Sequence, residues 1–339
     1  MLTNRFRENN MIKQNSIDLA KFIMALVVVA IHTNPLANCS NQNVLIIYNQ
    51  IVNFAVPFFF LSSGYLLSIR MTSTFDSDSD ILRVKYQLLK IMKMYIMWTL
   101  IYFPLAFYHY ISNKTVLWKA ILLYIRGILF IGENYSSWPL WYLLSTIYSL
   151  GIIIIMQKLP KVNRNLFIMS VIFSVLTLSF SILSNYEGIL PPILKTARKI
   201  VICSIANGRI FWGAVYIPMG ILLAKKGDSK YLKYIIFIVC FLCDFFVKNS
   251  IISHYLLIFN SIVLFEIIKS IKLNDKKIYP ILRRMSIIIY LLHMYIWNFY
   301  YKIFYGEKHY GMDSFIVTSA VVIILSFSYS LTKEKSLMK

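Results

Sequence analysis

The sequence predicts an all-α fold: a polytopic bundle of about ten transmembrane helices with both termini in the cytoplasm. Composition is the first observation behind that expectation, since hydrophobic residues make up 58% of the 339 positions and charged residues only 14%, with a mean hydropathy of +0.65. A soluble domain of this length has no use for so much apolar surface. The second is spacing: apolar runs of about twenty residues, enough to cross a hydrocarbon core of roughly 30 Å, recur from end to end. The third is the distribution of lysine and arginine between those runs, because such residues accumulate on the cytoplasmic side.

In order, the spans fall near residues 17–38, 44–69, 91–111, 138–157, 166–185, 206–224, 231–247, 249–268, 285–305 and 314–332. The second contains Pro57-Phe58-Phe59-Phe60-Leu61-Ser62-Ser63-Gly64-Tyr65, whose small residues allow helices to approach closely. The stretch 115–131 is shorter and carries Lys119 and Arg126, so it reads as an interfacial or re-entrant helix and not as a crossing. That reading sets the parity of every later span. The fourth span begins in Ser137-Trp138-Pro139-Leu140-Trp141-Tyr142-Leu143, and the sixth in Asn207-Gly208-Arg209 followed by Phe211-Trp212-Gly213. Cys240 and Cys243 fall within the seventh, where packing explains them better than a metal or redox pair. Asp244 and Glu266 read as end-of-helix or pairing residues. Leu36-Ala37-Asn38-Cys39 faintly resembles a lipoprotein cleavage site, but Asn38 stands where a small residue is expected. With no repeats and no long linker, residues 1–339 read as a single membrane domain, 1–14 as a cytoplasmic N-terminal segment and 333–339 as a short basic cytoplasmic tail.

Charge tests the parity. With the N-terminus inside, the inner side receives Arg5, Arg7 and Lys13, the groups from Arg70 to Lys93, Lys158 to Arg164, Lys225 to Lys233 and Lys269 to Arg284, and the terminal lysines, including Lys333, Lys335 and Lys339. These are roughly two thirds of the 35 basic residues. The net charge of +21 is thereby accounted for as a topology signal, with the bilayer of the cell membrane as surroundings and no nucleic-acid partner. The inner loops can still attract a polyanionic cytoplasmic substrate. The longest, from Arg70 to Lys93, also holds Asp76, Asp78 and Asp80.

Soluble-enzyme signatures such as Gly-x-Ser-x-Gly, His-Glu-x-x-His or a phosphate-binding glycine loop are missing from the sequence. Chemistry therefore rests on polar residues in or near the spans. In the first span Asp18, Lys21 and His32 stand among apolar residues, where an Asp or Lys at mid-depth costs roughly 2.5–3.5 kcal/mol. Lys21 and His32 lie within about 20° of one helix face, some 16 Å apart along the axis. His32, in the outer half of the span, suits a general base, or else a satisfied histidine at a helix contact. Lys21, close to the inner edge, can snorkel and pair with Asp18 at i, i+3. In the ninth span Ser286, Tyr290 and His293 share a face, a polar stripe that points inward as an interhelical seam or a substrate lining. Trp138 and Trp141 read more readily as an interfacial aromatic belt than as a binding platform. Arg209, beside Asn207, can hold an anionic group or pair with an acid of a neighbouring helix.

Together these motifs resemble the acyltransferase-3 family of bacterial multi-spanning membrane acyltransferases, in order along nearly the whole chain: Ile17-Asp18-Leu19-Ala20-Lys21-Phe22 leading to Val28-Val29-Ala30-Ile31-His32, then the Pro57 to Tyr65 run, Trp138 to Leu143, Asn207-Gly208-Arg209, and Ser286 with Tyr290-Leu291-Leu292-His293. The resemblance implies transfer of an acyl group, often acetyl, from cytoplasmic acyl-coenzyme A to a hydroxyl of a surface glycan or wall-related acceptor. No bound cofactor or metal is implied. In that family the first-helix histidine is treated as catalytic, and the residue eleven positions before it is usually Arg. Here it is Lys21, which keeps the charge but lacks the bidentate fork. The expected assignment is His32 as general base, Lys21 and Asp18 positioning the donor, and Trp141, Asn207, Arg209, Ser286, Tyr290 and His293 along the substrate path. Ile31-His32-Thr33 with Pro35, and the Asn207-Gly208 pair, look closer to the membrane module of serine racemases linked to glycopeptide resistance, a module associated with amino-acid supply. A transporter-like module is therefore the second expectation.

Overall fold

The computed structural model describes residues 14–186, 188–225, 232–247 and 249–338. Arg5, Arg7, Lys13, Lys226, Lys230 and Lys339 of the charge pattern lie outside them, as do the side chains of Asn207, Lys333 and Lys335. The described residues form helices and no strand. In chain order these are α1 (Asn15–Thr33), α2 (Gln42–Asn53), α3 (Ala55–Ser68), α4 (Asp78–Ser112), α5 (Leu117–Arg126), α6 (Leu140–Met156) and α7 (Val162–Asn185). There follow α8 (Pro192–Ile205), α9 (Trp212–Leu223), α10 (Leu232–Phe246), α11 (Ser250–Ser270), α12 (Ile278–Phe304) and α13 (Met312–Met338).

A helix occupies each expected span, but length and apolarity qualify fewer of them as crossings on their own. Among the described residues six stretches suffice: Asn15–Thr33, Gln42–Ser68, Asp78–Ser112, Val162–Asn185, Ser250–Ser270 and Met312–Thr332. A seventh arises if Pro192–Cys203 and Gly208–Leu223, bent by 66° at their junction, count as one span. The outer loop expected before the sixth span is thus partly the helix α8.

Other departures have local causes. The second span breaks between Asn53 and Ala55 because Pro57 offers no N–H and its ring crowds the carbonyl four residues back, at Asn53. The supposed inner loop from Arg70 to Lys93 is mostly helix, since α4 begins at Asp78 and runs for 35 residues. Ser77 caps it by accepting from the Asp80 amide, and Asp80 turns back to accept from the Thr72 amide at 3.2 Å. Residues 117–131 form α5 and a π-helical turn, Gly127–Ile131, about 22 Å long together and short of a crossing. The terminal tail continues α13 as helix to Met338. All four cysteines are free.

Two apolar clusters hold the helices together. One joins Ala25, Val28 and Val29 of α1 to Tyr102 of α4, Leu140 and Leu143 of α6, and Met285, Ile289 and Trp297 of α12. The other joins Phe58, Phe60 and Leu61 of α3 to Leu150 of α6, Leu166 of α7 and Val215, Ile217 and Ile221 of α9. Buried hydroxyls tie helices where apolar contact alone is unspecific: Tyr102 donates to the Leu291 carbonyl at 2.7 Å, and Ser170 to that of Val215 at 2.7 Å. Helices α3 and α9 approach backbone to backbone. A Cβ on Gly64 would overlap the Ile217 carbonyl oxygen, and one on Gly220 the Leu61 carbonyl oxygen. The small residues of the second span thus serve the close contact expected of them.

Gly64→Ala or Gly220→Ala should lower stability by about 1–3 kcal/mol through overpacking, whereas Gly151→Ala, whose Cβ meets nothing within 4 Å, should be neutral. Melting curves of the three purified variants check this; equal midpoints would remove the close α3–α9 contact as a determinant of the fold.

Candidate functional site

His32 stands in the last turn of α1, which ends at Asn34 in the left-handed region with φ 43°. Asparagine tolerates that conformation, and its amide closes on the Ala30 carbonyl at 2.9 Å. Neighbouring groups take up the helix-end carbonyls: Tyr48 donates to Ala30 at 2.8 Å and the Gly311 amide to Thr33 at 3.0 Å. The half-buried imidazole is thereby held at one end of the bundle, the His32 end.

Two rings flank it. The His293 imidazole of α12 stacks on it with centroids 5.2 Å apart at 28°, and the Trp138 indole lies 5.2 Å away at 45°. His293 Nδ1 is 3.1 Å from the Ile289 carbonyl oxygen. A carbonyl only accepts, so Nδ1 carries the proton and Nε2 is left as an acceptor. That Nε2 is buried with no hydrogen-bond partner, and among the described residues neither ring nitrogen of His32 has one. Two imidazoles with unused lone pairs in one aromatic pocket form a proton-accepting site.

The walls come from four elements. Tyr290 of α12 donates to the Pro139 carbonyl at 3.2 Å, and Phe59 and Tyr142 set their ring edges against it, each at 5.4 Å. Tyr142 and Ser63 share a hydrogen bond of 2.9 Å. Arg209 pairs with Glu133 at 2.6 Å and lies over the Trp141 ring at 4.9 Å, near enough to act electrostatically on both His32 and Tyr290. Its acidic partner comes from the loop before α6, not from a neighbouring helix. That loop is shaped by Ser136 at φ 58°, a conformation costing about 1 kcal/mol or more for a residue with a side chain. Asn298 holds it there, donating to Ser136 Oγ at 2.8 Å and Tyr301 Oη at 2.6 Å. The result turns Trp138 onto His32 instead of out to a lipid-facing belt.

The other groups of the first span lie at the opposite end, some 16 Å along α1. Buried Asp18 is 3.8 Å from Arg283 of α12; the expected i, i+3 pair with Lys21 does not form. Lys21 instead sits within electrostatic range of Asp18, Arg283 and Lys90. Asn15 donates to Asp275 at 2.8 Å, closing this Asp18 end. Between the two ends Ala25, Val28 and Val29 pack against Met285 and Ile289 in a continuous apolar seam.

The structure therefore gathers His32, Tyr290, His293, Trp141 and Arg209, and leaves Lys21 and Asp18 apart. Ser286, buried two turns from His293, returns its hydroxyl to the Arg283 carbonyl at 2.9 Å, so of Ser286, Tyr290 and His293 only Tyr290 hydrogen-bonds beyond α12, to the turn before α6. The backbone of Asn207 is in a short 3-10 turn, Ala206–Phe211. Sequence reasoning missed Arg283 and Glu133. Arg283 was within reach, because the stripe through 286, 290 and 293 continues one turn earlier to 283; Glu133 lies in a loop with no periodic signal.

Comparison with known proteins fits this picture. A model described as an acyltransferase domain, that of the acyltransferase-3 family, matches residues 14–333. An amino-acid racemase of Enterococcus faecalis is 27% identical over 71% of this chain but only 32% of its own length. A second from that organism is 36% identical over 37% of this chain and 17% of its own. A serine/alanine racemase of Enterococcus gallinarum is 36% identical over 28% of this chain and 14% of its own. The chain thus spans no more than a third of these relatives. No solved structure matches. A family match over nearly the whole chain, on a bundle with several membrane-length apolar helices, shows that the protein is a multi-pass membrane protein belonging to the acyltransferase-3 family.

Proposed function

We propose that this protein is an O-acyltransferase that moves an acyl group, acetyl in the simplest case, from acyl-coenzyme A to a hydroxyl of a cell-surface glycan or wall polymer. The observation that carries the reading is the stacked His32–His293 pair, in which His293 Nε2 is left as an unpartnered acceptor. It lies at the end of α1 opposite Lys21, Arg283 and Lys90, a cationic group suited to coenzyme A phosphates. The charge bias of the loops supports about ten crossings with both termini in the cytoplasm; on that topology the Asp18 end faces the cytoplasm and the His32 end the outside.

On this reading a neutral His32 takes the proton of the acceptor hydroxyl as its oxygen attacks the thioester carbonyl. The tetrahedral intermediate collapses with cleavage of the C–S bond. The thiolate leaves, the imidazolium returns the proton to sulfur, and the products are an ester and the free thiol of coenzyme A. His293 positions His32 by stacking, and its Nε2 accepts a further hydrogen bond from the acceptor. Trp141, Tyr290 and the Arg209–Glu133 pair line the acceptor side, with Asn207 beside them in sequence. Ser286 lies on the donor's route along the α1–α12 seam, which has to part for the acyl group to pass.

The racemase names of the relatives favour a second reading, a transporter-like module for a small solute such as an amino acid. Uptake or exchange of that solute by vesicles lacking any acyl donor distinguishes it.

Two outcomes follow from the acyl-transfer reading. His32→Ala should cut transfer of radiolabelled acetyl from acetyl-coenzyme A, supplied to inside-out vesicles, by about 10²-fold or more at unchanged protein level; persistent transfer with that variant as sole copy rules His32 out as the base. Arg283→Gln should raise the KM for acetyl-coenzyme A about tenfold with little change for the acceptor, and Arg283→Lys should recover part of it. An acceptor-side defect in the Gln variant would instead sink the assignment of the Asp18 end to the donor.

A further inference from the structure

The loop between α12 and α13 is built to hold a lysine over the site. The His309 carbonyl accepts from the Trp297 indole at 3.0 Å and from Ser314 at 2.9 Å. Asp313 receives the Tyr300 and Tyr305 hydroxyls, each at 2.9 Å, and pairs with His309 at 3.0 Å. The Tyr305 ring stacks flat on His309 at 3.7 Å. The Gly311 amide then bonds to Thr33, the residue next to His32. So anchored, the loop sets Lys308 Nζ 4.9 Å from the centre of the Trp138 ring, the same indole that flanks His32. Lys302, from the end of α12, reaches 4.5 Å from the Tyr108 ring and 5.8 Å from that of Tyr135. Tyr135 itself stacks on His109 at 4.1 Å.

Neither ammonium has a carboxylate partner among the described residues. The nearby acids are committed elsewhere, Glu133 to Arg209 and Asp313 to His309 and two tyrosines; Glu307, adjacent to Lys308 in sequence, forms no ion pair with it. The field is felt locally: burial works to raise the Tyr135 phenol, yet hydrogen bonding with Tyr301 and Asn298, together with the Lys302 and Lys308 charges, holds it below its ordinary value. Aromatic faces attract cations only weakly at exposed positions. Two like charges converging on one rim are left uncompensated, beside a site that needs an incoming hydroxyl.

We infer that the acceptor is an anionic hydroxyl compound, whose phosphate or carboxylate is held by Lys302 and Lys308 while one of its hydroxyls faces His32 across the Trp138 ring. The inference rests on the acyl-transfer reading for the hydroxyl, but not for the anion. A polymer that alternates hydroxyls with phosphates, or a sugar carrying a carboxylate, fits this chemistry; a neutral glycan leaves both lysines unused. Anionic lipid headgroups share the same charge and are the competing occupant.

The full-length protein in phosphatidylcholine nanodiscs, which expose both faces, tests this with two probes, oligo(glycerol phosphate) and neutral oligoglycerol of equal hydroxyl content. Transfer from labelled acetyl-coenzyme A and equilibrium binding of fluorescent oligo(glycerol phosphate) are both read. The expected result is a preference for the phosphate oligomer of about tenfold or more in kcat/KM, lost through KM in the Lys302→Gln/Lys308→Gln variant and kept in the Lys302→Arg/Lys308→Arg variant. Binding that falls in the Gln variant without acetyl transfer in any variant supports the anion site while failing the acyl-transfer reading. Equal use of the two probes, or an unchanged preference and binding in the Gln variant, overturns the inference. So does a Gln variant that, in nanodiscs with added phosphatidylglycerol, loses only the rise in melting temperature this lipid gives the parent protein, which assigns the lysines to lipid headgroups.

Discussion

The packing of α1 against α12 is the contact on which the site depends, because it sets both ends at once. At one end it stacks His32 on His293; at the other it brings Arg283 to buried Asp18. The two polar contacts differ in kind. Asp18 faces a cation 3.8 Å away, the kind of partner a buried carboxylate needs. The imidazoles face each other with lone pairs unspent. In a membrane protein apolar helix faces gain little from meeting one another, since lipid is an equal solvent for them, so polar contacts at the two ends carry much of what specifies this pairing. A stripe on α12 with the same period as the α1 face supplies them.

The fold was largely legible because hydropathy measures what lipid demands, and lipid demands helices. Where the sequence reading failed, the helix extended beyond the apolar zone. Nothing in hydropathy says that α4 starts at Asp78, since its first turns carry Arg83, Lys85 and Lys90 and are helical through the Ser77 cap. The break at Asn53 was readable from Pro57, but only with attention to the carbonyl four residues back. Within the site, His32, Tyr290 and His293 stood out because a polar residue in an apolar helix needs a reason. Trp138 did not, for an indole at a helix start is usual at a membrane interface. Its inward turn depends on Ser136 in a left-handed conformation and on Asn298, 162 residues away. Long-range constraints of that sort leave no periodic trace.

Charge is distributed unequally between acids and bases throughout the molecule. Acids are consumed in structural roles: Glu133 braces Arg209, Asp313 clasps the loop after α12, Asp80 closes the turn before α4, and Glu266 pairs with Lys269 at 2.8 Å. Among the described residues two bases, Lys302 and Lys308, are placed where aromatic rings meet them and no acid does. A protein with 35 basic and 14 acidic residues can afford few acids for balance. On the proposed topology the positive-inside tendency accounts for the bases of the inner loops but not for lysines at the His32 end, so those call for a separate cause.

The seam between the ends bears on how a donor and an acceptor can meet. Ala25, Val28, Val29, Met285 and Ile289 fill it, so the apolar stretch is closed while the polar ends stay joined. Parting such a seam in hydrocarbon surroundings forfeits packing contacts but exposes no surface to water, and an acyl chain or lipid tail entering it restores much of what is lost. Parting either end is harder, because an unpaired Asp18 costs several kcal/mol and the turn before α6 would give up its hydrogen bond to Asn298. The proposed route for the acyl group therefore follows the part of the α1–α12 contact that is less costly to open than either end. It also gives a reason for a small residue such as Ala25 in the cluster shared with α12: it leaves the passage narrow when shut and leaves little side chain to move when it opens.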